Sequence, residues 1–295
     1  MKLRSKFNLM LVTVFTMGLG VSGYLSYTQL NENARNEVLG NAGVLMESLL
    51  AARTWAVKEV GPNLRETEPD EFLMMGVPPY VANKVMDDVK KRYPEFGYRE
   101  VALNPTNPKD LPADWEARIV DKFRSDPNHR ESWGIRQTKN GPTLYLARPI
   151  DIPSSGCLGC HSTPDKAPPY IVKEYGTKAG FGWKLKEIVG AQIVTVPMSV
   201  PIANAERMFT TFMVSLVAVF VVLYFLLDRM LVRLIVNPLG RMADAANEIS
   251  KGNLDIGEFD QTGKDEVADL ATSFNRMRRS LLKAMAMFER TNGPG

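Results

Sequence analysis

The chain has 295 residues and a formal net charge of +3, from 36 Lys and Arg against 33 Asp and Glu. Lys2, Arg4 and Lys6 account for this surplus, because residues 32–207 carry 23 basic and 23 acidic side chains and the remainder is also balanced. No basic domain is left to neutralise phosphates, which excludes nucleic acid as a partner. A chain with 45% hydrophobic and 23% charged residues is also not a disordered one.

Two uncharged stretches, Phe7–Tyr27 and Met208–Leu227, are long enough to cross a bilayer as helices. The basic residues before the first stretch, and Arg229 with Arg233 after the second, place both ends of the chain in the cytoplasm by the positive-inside rule. A cleaved signal peptide is the alternative for the first stretch, since the small residues Val21-Ser22-Gly23 could form a cleavage site. The sequence predicts a two-pass membrane protein whose middle segment lies outside the cytoplasm.

These spans divide the chain into six parts. Seventeen of the 19 prolines fall in the outer segment, which indicates a looped globular domain outside and a helical module inside. The predicted parts are an N-terminus at 1–6, a first span at 7–27, an outer domain at 28–207, a second span at 208–227, a helical module at 228–284 and a tail at 285–295.

The outer domain has the pattern of an α+β fold. Helical spacing of apolar residues predicts a long helix from the first span to Leu64, broken near Gly61-Pro62, and a second helix over Pro79–Tyr93. Asn140-Gly141 predicts a hairpin turn, although Pro142 should disturb a tight one. The predicted strands are GYREVAL (97–103), GIRQTKN (134–140), TLYLARPI (143–150) and EIVGAQIVTVPM (187–198). A long helix and a small antiparallel sheet, whose last strand leads to the second span, suit a PAS-like sensory domain.

The chemistry of the outer domain is predicted to lie at Cys157-Leu158-Gly159-Cys160-His161. This is a C-x-x-C-H motif, in which two thiols add to the vinyl groups of haem and the adjacent imidazole takes one axial position of the iron. Both cysteines of the chain are used. The sequence therefore predicts one covalent haem c, with Cys157 and Cys160 as attachment residues and His161 as the proximal ligand.

Two cysteines and a histidine at this spacing have three other possible uses. A disulfide across two intervening residues would be strained and would leave His161 unexplained, and zinc would need a further ligand when His129 is the only other His. A thioredoxin-like redox pair normally opens a helix after a strand. Pro153-Ser154-Ser155-Gly156 before the motif and Pro164 after it predict a loop instead.

The distal side of the haem is left open by the sequence. Met46 and His129 are candidate distal ligands, as are Met74 or Met75. The role favoured for each singly is core filling for Met46, packing for Met74 and Met75, and a solvated loop for His129. Arg53 and Trp55 are candidates for contacting the haem propionates and ring. A surface charge and a buried aromatic are the favoured roles for these two.

At these residues the sequence resembles a known family. The elements Asn104-Pro-Thr-Asn-Pro108, C-x-x-C-H and Gly180-Phe-Gly-Trp183, within residues 30–202, are similar to the periplasmic c-type haem-binding, PAS-like sensor domains that precede histidine kinases and chemoreceptors in bacteria. The upstream ARTWAVKEVGPNL resembles their haem-facing helix. This resemblance implies a bacterial inner-membrane protein with haem in the periplasm and a redox- or gas-sensing role.

The segment after the second span has two coiled-coil seams joined by a connector. The first seam is formed by Ile235, Leu239, Met242, Ala246 and Ile249, and the second by Val267, Leu270, Phe274, Met277, Leu281, Ala284 and Phe288. Lys251-Gly252-Asn253 ends the first helix, and Leu254, Ile256 and Phe259 supply apolar connector residues. Pro238 and Asp265-Glu266-Val267-Ala268 make this segment resemble a HAMP domain, which implies a parallel four-helix coiled coil in a homodimer. A plain helical hairpin is the alternative.

Two hypotheses follow. The first is a haem-based transmembrane sensor of redox state or of a diatomic gas such as NO, which acts on a separate histidine kinase or other output protein. The second is a membrane-anchored periplasmic c-type cytochrome for electron transfer. An enzymatic role is not expected, because no acid–base or nucleophile cluster stands out beside the motif.

Overall fold

A computed structural model describes residues 2–67, 74–253, 255–259, 263 and 265–292. The chain forms two compact units. One contains residues 27–209, and the other contains residues 1–26 together with 210–295.

The unit of residues 27–209 is built on a four-stranded antiparallel sheet with the strand order β1-β4-β3-β2. Its strands are β1 (Gly97–Ala102), β2 (Ser132–Thr138), β3 (Gly141–Asp151) and β4 (Ile188–Pro197). All four predicted strands are confirmed, and the α+β fold class with them.

The expected disturbance of the hairpin between β2 and β3 is wrong. Thr138 pairs directly with Gly141, so the turn has only two residues, and Gly141 adopts φ +96° at its end. Pro142 falls at the next pair, opposite Gln137. Hydrogen-bonded and non-hydrogen-bonded pairs alternate along an antiparallel ladder, so this position requires no N–H toward β2.

The helices are close to the predicted ones. The long helix α1 spans Leu3–Trp55, and its break is a π-helical turn at Ala56–Val60 that precedes Gly61-Pro62. The second predicted helix is α3 (Pro78–Arg92). The other helices of this unit are α2 (Gly61–Thr67), α4 (Asp114–Ser125), α5 (Ser155–His161) and α6 (Pro169–Tyr175), with 3-10 turns at Met74–Gly76 and Pro108–Asp110.

Each face of the sheet is covered by different helices, because side chains alternate between the faces along each strand. One face packs on α1 and α3 through a cluster that includes Val38, Met46, Leu49, Met86, Tyr98, Leu146 and Val194. The other face packs on α4 through Val101, Ile119, Val120, Phe123, Ala147 and Ile193. The sheet is therefore the centre of this unit, and β4 is buried along almost its whole length.

Two helical stretches, Leu3–Leu64 and Ser199–Ser250, are long and apolar enough to cross a membrane, and none of their most apolar windows is buried in the protein. The second stretch begins with α7 (Ser199–Leu231). Arg4 forms a bidentate ion pair with Asp228, at 2.8 and 2.7 Å, and Asn8 donates to the same carboxylate at 2.9 Å. The start of α1 thus lies beside the end of α7, so the two helices run antiparallel.

The last two helices are α8 (Asn237–Ser250), which follows a π-helical turn at Val232–Val236, and α9 (Glu266–Asn292). The amide of Asn275, which is fully buried, accepts from Phe259 N at 3.0 Å and donates to Phe259 O at 2.9 Å. This pair of bonds fixes the connector on α9. The predicted connector residue Leu254 lies outside the described residues.

On α9, the side chains that a single chain buries are not those of the predicted coiled-coil seam. Ala268, Ala271 and Asn275 are buried, whereas Leu270 and Met277 of the seam are 45% and 47% exposed. In a four-helix bundle the seam residues are buried among all four helices, and one chain contributes only two of them. The seam residues are therefore exposed in a single chain.

Candidate functional site

The C-x-x-C-H motif lies on α5, a seven-residue helix that begins four residues after β3. The expected loop is therefore wrong. Ser154 has extended backbone angles at the position before the helix, and Cys157 N donates to Ser154 O at 3.3 Å, which closes the first turn. A short helix after a strand is also where a thioredoxin-like redox pair lies, so the arrangement of the side chains has to distinguish that pair from a haem attachment site.

The imidazole of His161 is held in a fixed orientation. Its Nδ1 lies 2.8 Å from the carbonyl oxygen of Gly180, and its ring stacks on Trp183 with centroids 4.0 Å apart and planes 13° from parallel. A carbonyl only accepts, so Nδ1 carries the proton and Nε2 keeps its lone pair. Burial lowers the pKa of His161, and the hydrogen bond to Gly180 opposes that effect. The result is a neutral, oriented imidazole suited to metal ligation.

The loop that holds this imidazole is itself held by the Asn104-Pro-Thr-Asn-Pro108 segment. Gly180 N donates to Asn104 Oδ1 at 3.1 Å, and Asn104 Nδ2 donates to Phe181 O at 2.9 Å. Gly180 has φ +82°, and Thr106 packs directly against its Cα. The three sequence elements that resemble the haem-sensor family thus meet in one hydrogen-bonded cluster.

The two thiols lie on the same short helix. Cys157 and Cys160 are half-buried, are not joined by a disulfide, and are three residues apart, which places them on one side of a helix. In the described part of the chain, no three His, Cys, Asp or Glu side chains cluster closely enough to hold a metal ion. The donor set is two thiols and one oriented imidazole, which fits covalent haem attachment better than a zinc site.

Arg53 and Trp55 do not have the roles favoured from sequence. Arg53 is not a surface charge: it pairs with the buried carboxylate of Glu100, which also accepts from Tyr98 OH at 2.7 Å. Trp55 is not a buried aromatic, since it is 57% exposed. Two residues along a helix correspond to about 200° of rotation, so the two side chains point to opposite sides of α1. Haem contact by either residue stays a prediction.

The candidate distal ligands are dispersed. Met46 is fully buried in the cluster between α1 and the sheet, which confirms its expected core role. His129 is half-buried instead of solvated, with its ring centroid 5.9 Å from that of Phe123. Met74 and Met75 are 37% and 53% exposed, so their expected packing role is wrong. Distal ligation by Met46 or His129 stays a prediction.

The ion pair of Arg53 gives a stability prediction. Arg53→Met should destabilise the protein by about 2–3 kcal/mol, because it leaves the Glu100 carboxylate buried without its cation. For a domain of this size, the Tm should fall by roughly 5–10 °C, measured by tryptophan fluorescence on the full chain in detergent.

The control is Arg130→Met, which removes the exposed ion pair with Asp151 at 3.0 Å. This change should cost less than about 1 kcal/mol. Equal losses in the two variants would contradict a special role for the buried pair.

Residues 31–197, more than half of the chain, match the Tll0287-like family, which is described as Tll0287. The chain belongs to the Tll0287-like family. Residues 230–283 match the HAMP domain, which confirms the HAMP prediction. A Tll0287-like domain followed by a HAMP domain, with two helices long and apolar enough to cross a membrane, supports a membrane protein in signalling and points to signalling rather than catalysis.

Two individual proteins are similar to this member of the Tll0287-like family. Over 104 residues the chain is 36% identical to the sensor histidine kinase WalK of Bacillus subtilis (strain 168), a match that covers 35% of this chain and 17% of WalK. The crystal structure of the cyanobacterial heme-protein Tll0287 matches with a TM-score of 0.43 and 22% identity, over 55% of this chain and 95% of that chain.

Proposed function

We propose that this protein is a two-pass inner-membrane sensor with one haem c in its periplasmic domain, attached through Cys157 and Cys160 and ligated by His161. The observation that carries the proposal is the 2.8 Å hydrogen bond from His161 Nδ1 to Gly180 O, because it leaves Nε2 of an oriented ring as the ligating atom. Haem c would supply an iron that changes redox state or takes up a diatomic ligand such as NO.

His161 is connected to the sheet through the loop that orients it. Trp183 N donates to His161 O at 3.2 Å, and three residues later the chain adopts a left-handed conformation at Lys186, with φ +64°. Lys186 N donates to Ile152 O at 2.8 Å and Ile152 N donates to Glu187 O at 3.1 Å, which ties the loop to the end of β3. A displacement of the His161 ring would therefore move the start of β4.

Strand β4 then carries that displacement to the second membrane helix. It has ten residues, a length of about 33 Å, and is paired with β1 and β3 on its two sides. It ends at Pro197, and α7 begins at Ser199. A rigid central strand with a membrane helix at its end is a suitable element for passing on a small shift.

The receiving element is the HAMP domain, which we propose to be a parallel four-helix bundle in a homodimer. The exposed seam residues Leu270, Met277 and Leu281 of α9 would then meet a second copy. Bundles of this kind can have two packings that differ by a few kcal/mol, so a shift of α7 would favour one of them. The output would be read by a separate partner, such as a histidine kinase.

The attachment is tested with cysteine variants. Cys157→Ser and Cys160→Ser should each leave haem bound through a single thioether, which shifts the α-band of the pyridine haemochrome spectrum relative to the doubly attached protein. The matched control is Ser162→Ala, next to the motif, which should keep the spectrum of the unmodified protein. If either cysteine variant keeps the spectrum of doubly attached haem, the assignment of the attachment residues is wrong.

A further inference from the structure

A second polar site lies in the outer domain, at the end of the sheet opposite to His161. It is a cavity of about 410 Å³ on the face that α4 covers only in part. It lies where β4 ends and α7 begins, whereas the motif follows the other end of β3. Its lining includes Glu95, Arg136, Thr143, Tyr145, Thr195 and Ser199.

Two side chains of opposite charge, Glu95 and Arg136, line this cavity from the two edges of the sheet. Arg136 on β2 pairs with Thr143 on β3, which pairs with Pro197 on β4. Glu95 lies in the turn two residues before β1, whose first residue Gly97 pairs with Thr195. The edge strands β1 and β2 are separated by β4 and β3, a distance of about 14 Å at about 4.8 Å per strand, which leaves room for a small molecule in the cavity that Glu95 and Arg136 both line.

The guanidinium of Arg136 is oriented but has no anion. It lies 3.8 Å from the ring centroid of Trp115. The ring centroid of Trp115 is in turn 5.4 Å from that of Tyr145. Stacking uses the flat face of a guanidinium and leaves its N–H edge available for a carboxylate. Among the described residues, the side chains of Arg136 and Glu95 have no ion-pair or hydrogen-bond partner.

Two glycines make room for the side chains of Thr195 and Tyr145, which line this cavity. A Cβ on Gly97 would collide with Thr195 Oγ1, and a Cβ on Gly134 would lie 2.8 Å from Tyr145 OH. Gly97, Thr195, Tyr145 and Gly134 form the next row across the four strands. The row therefore presents two hydroxyl groups between two positions without side chains, beside the two unpaired charges.

We propose that this cavity binds a small zwitterion, a free amino acid, with its carboxylate at Arg136 and its ammonium group at Glu95. A single anion or cation would leave one of the two charges unmatched, whereas a zwitterion matches both. The hydroxyls of Tyr145 and Thr195 supply hydrogen bonds from the lining of the cavity. Because Ser199 is the first residue of α7, the bound amino acid would lie against the start of the second membrane helix and act as a second input.

The test is a thermal-shift screen of the standard L-amino acids at ~10 mM on the full haem-containing chain in nanodiscs, followed by calorimetry on those that bind. At least one amino acid should raise the Tm. Glu95→Gln and Arg136→Gln should each weaken its Kd tenfold or more, since each removes a charge-assisted hydrogen bond. Arg118→Gln on the exposed side of α4 is the matched control and should bind with an unchanged Kd.

Blocked forms of the same amino acid separate the two charges. The N-acetyl form should bind as weakly as the parent amino acid binds to Glu95→Gln, and the amide form as weakly as it binds to Arg136→Gln. If no amino acid raises the Tm, the proposal is overturned. It is also overturned if the N-acetyl form binds as tightly as the parent amino acid, or if the Arg136→Gln variant binds the parent amino acid as tightly as the unmodified protein does. The haem spectrum of each variant should be unchanged, so failure here is distinguishable from failure of the haem assignment.

Discussion

Replacing Gly180 by alanine is expected to destabilise the unit of residues 27–209 by about 2–4 kcal/mol. A non-glycine residue at φ +82° costs about 1 kcal/mol. The added methyl group would also collide with Thr106 Oγ1 and lie 2.7 Å from Thr106 Cα, a backbone atom that cannot rotate away. Overpacking of this kind typically costs another 1–3 kcal/mol, and the Tm of the full chain in detergent should fall by roughly 10 °C.

Gly182 provides the matched control for this prediction. It has the same φ of +82°, but a Cβ built there has no atom within 4 Å. Gly182→Ala should therefore cost only the conformational term of about 1 kcal/mol. Under the proposed ligation of haem by His161, the two variants also differ in their effect on the haem, because only Gly180 accepts from His161. Resonance Raman spectra should show a changed His161 ligand in Gly180→Ala alone, and equal behaviour of the two variants would contradict this account of the loop.

Much of the fold is readable from sequence because its signals are local. The strands of the hairpin, the last strand and the long helix each have a period or a turn residue that depends on few neighbours, and all are confirmed. The sequence does not predict the helix at Ser155–His161, since a seven-residue helix rich in Gly and Ser has no periodic pattern. It also does not predict that Pro142 is tolerated, because this depends on its register against Gln137, which is a property of the paired strands.

The candidate site can be predicted from the sequence only in part, because some of its contacts join residues that are far apart in the chain. Cys157, Cys160 and His161 form a contiguous motif, whereas the support of His161 comes from Gly180 and Asn104, far away in the chain. Their motifs were recognised as a group, but their physical roles appear only when the loop and the turn after β1 come together. Arg53 illustrates the opposite error, because its partner Glu100 lies 47 residues away and nothing local indicates a buried ion pair.

The sensor and electron-transfer hypotheses make different predictions at Leu270 of α9. Leu270 is 45% exposed on the predicted seam, so Leu270→Cys should crosslink two copies of the chain with a bismaleimide in membranes. The rate should differ severalfold between oxidised, reduced and NO-treated protein, because a shift of 1.4 kcal/mol between two packings is about a tenfold change in population. A bismaleimide is preferred to disulfide formation, since the reductant used for the haem would also reduce a disulfide.

Ala271→Cys is the control for that experiment. Ala271 is only 2% exposed and is buried within the chain, so its thiol should crosslink slowly in every state. Identical rates at Leu270→Cys in all three states would contradict the sensor and support an electron-transfer cytochrome whose helices only anchor it. No crosslinking at Leu270→Cys in any state would contradict the homodimer. Because the two native cysteines would be consumed by haem attachment, the introduced thiol is the reactive group in each variant.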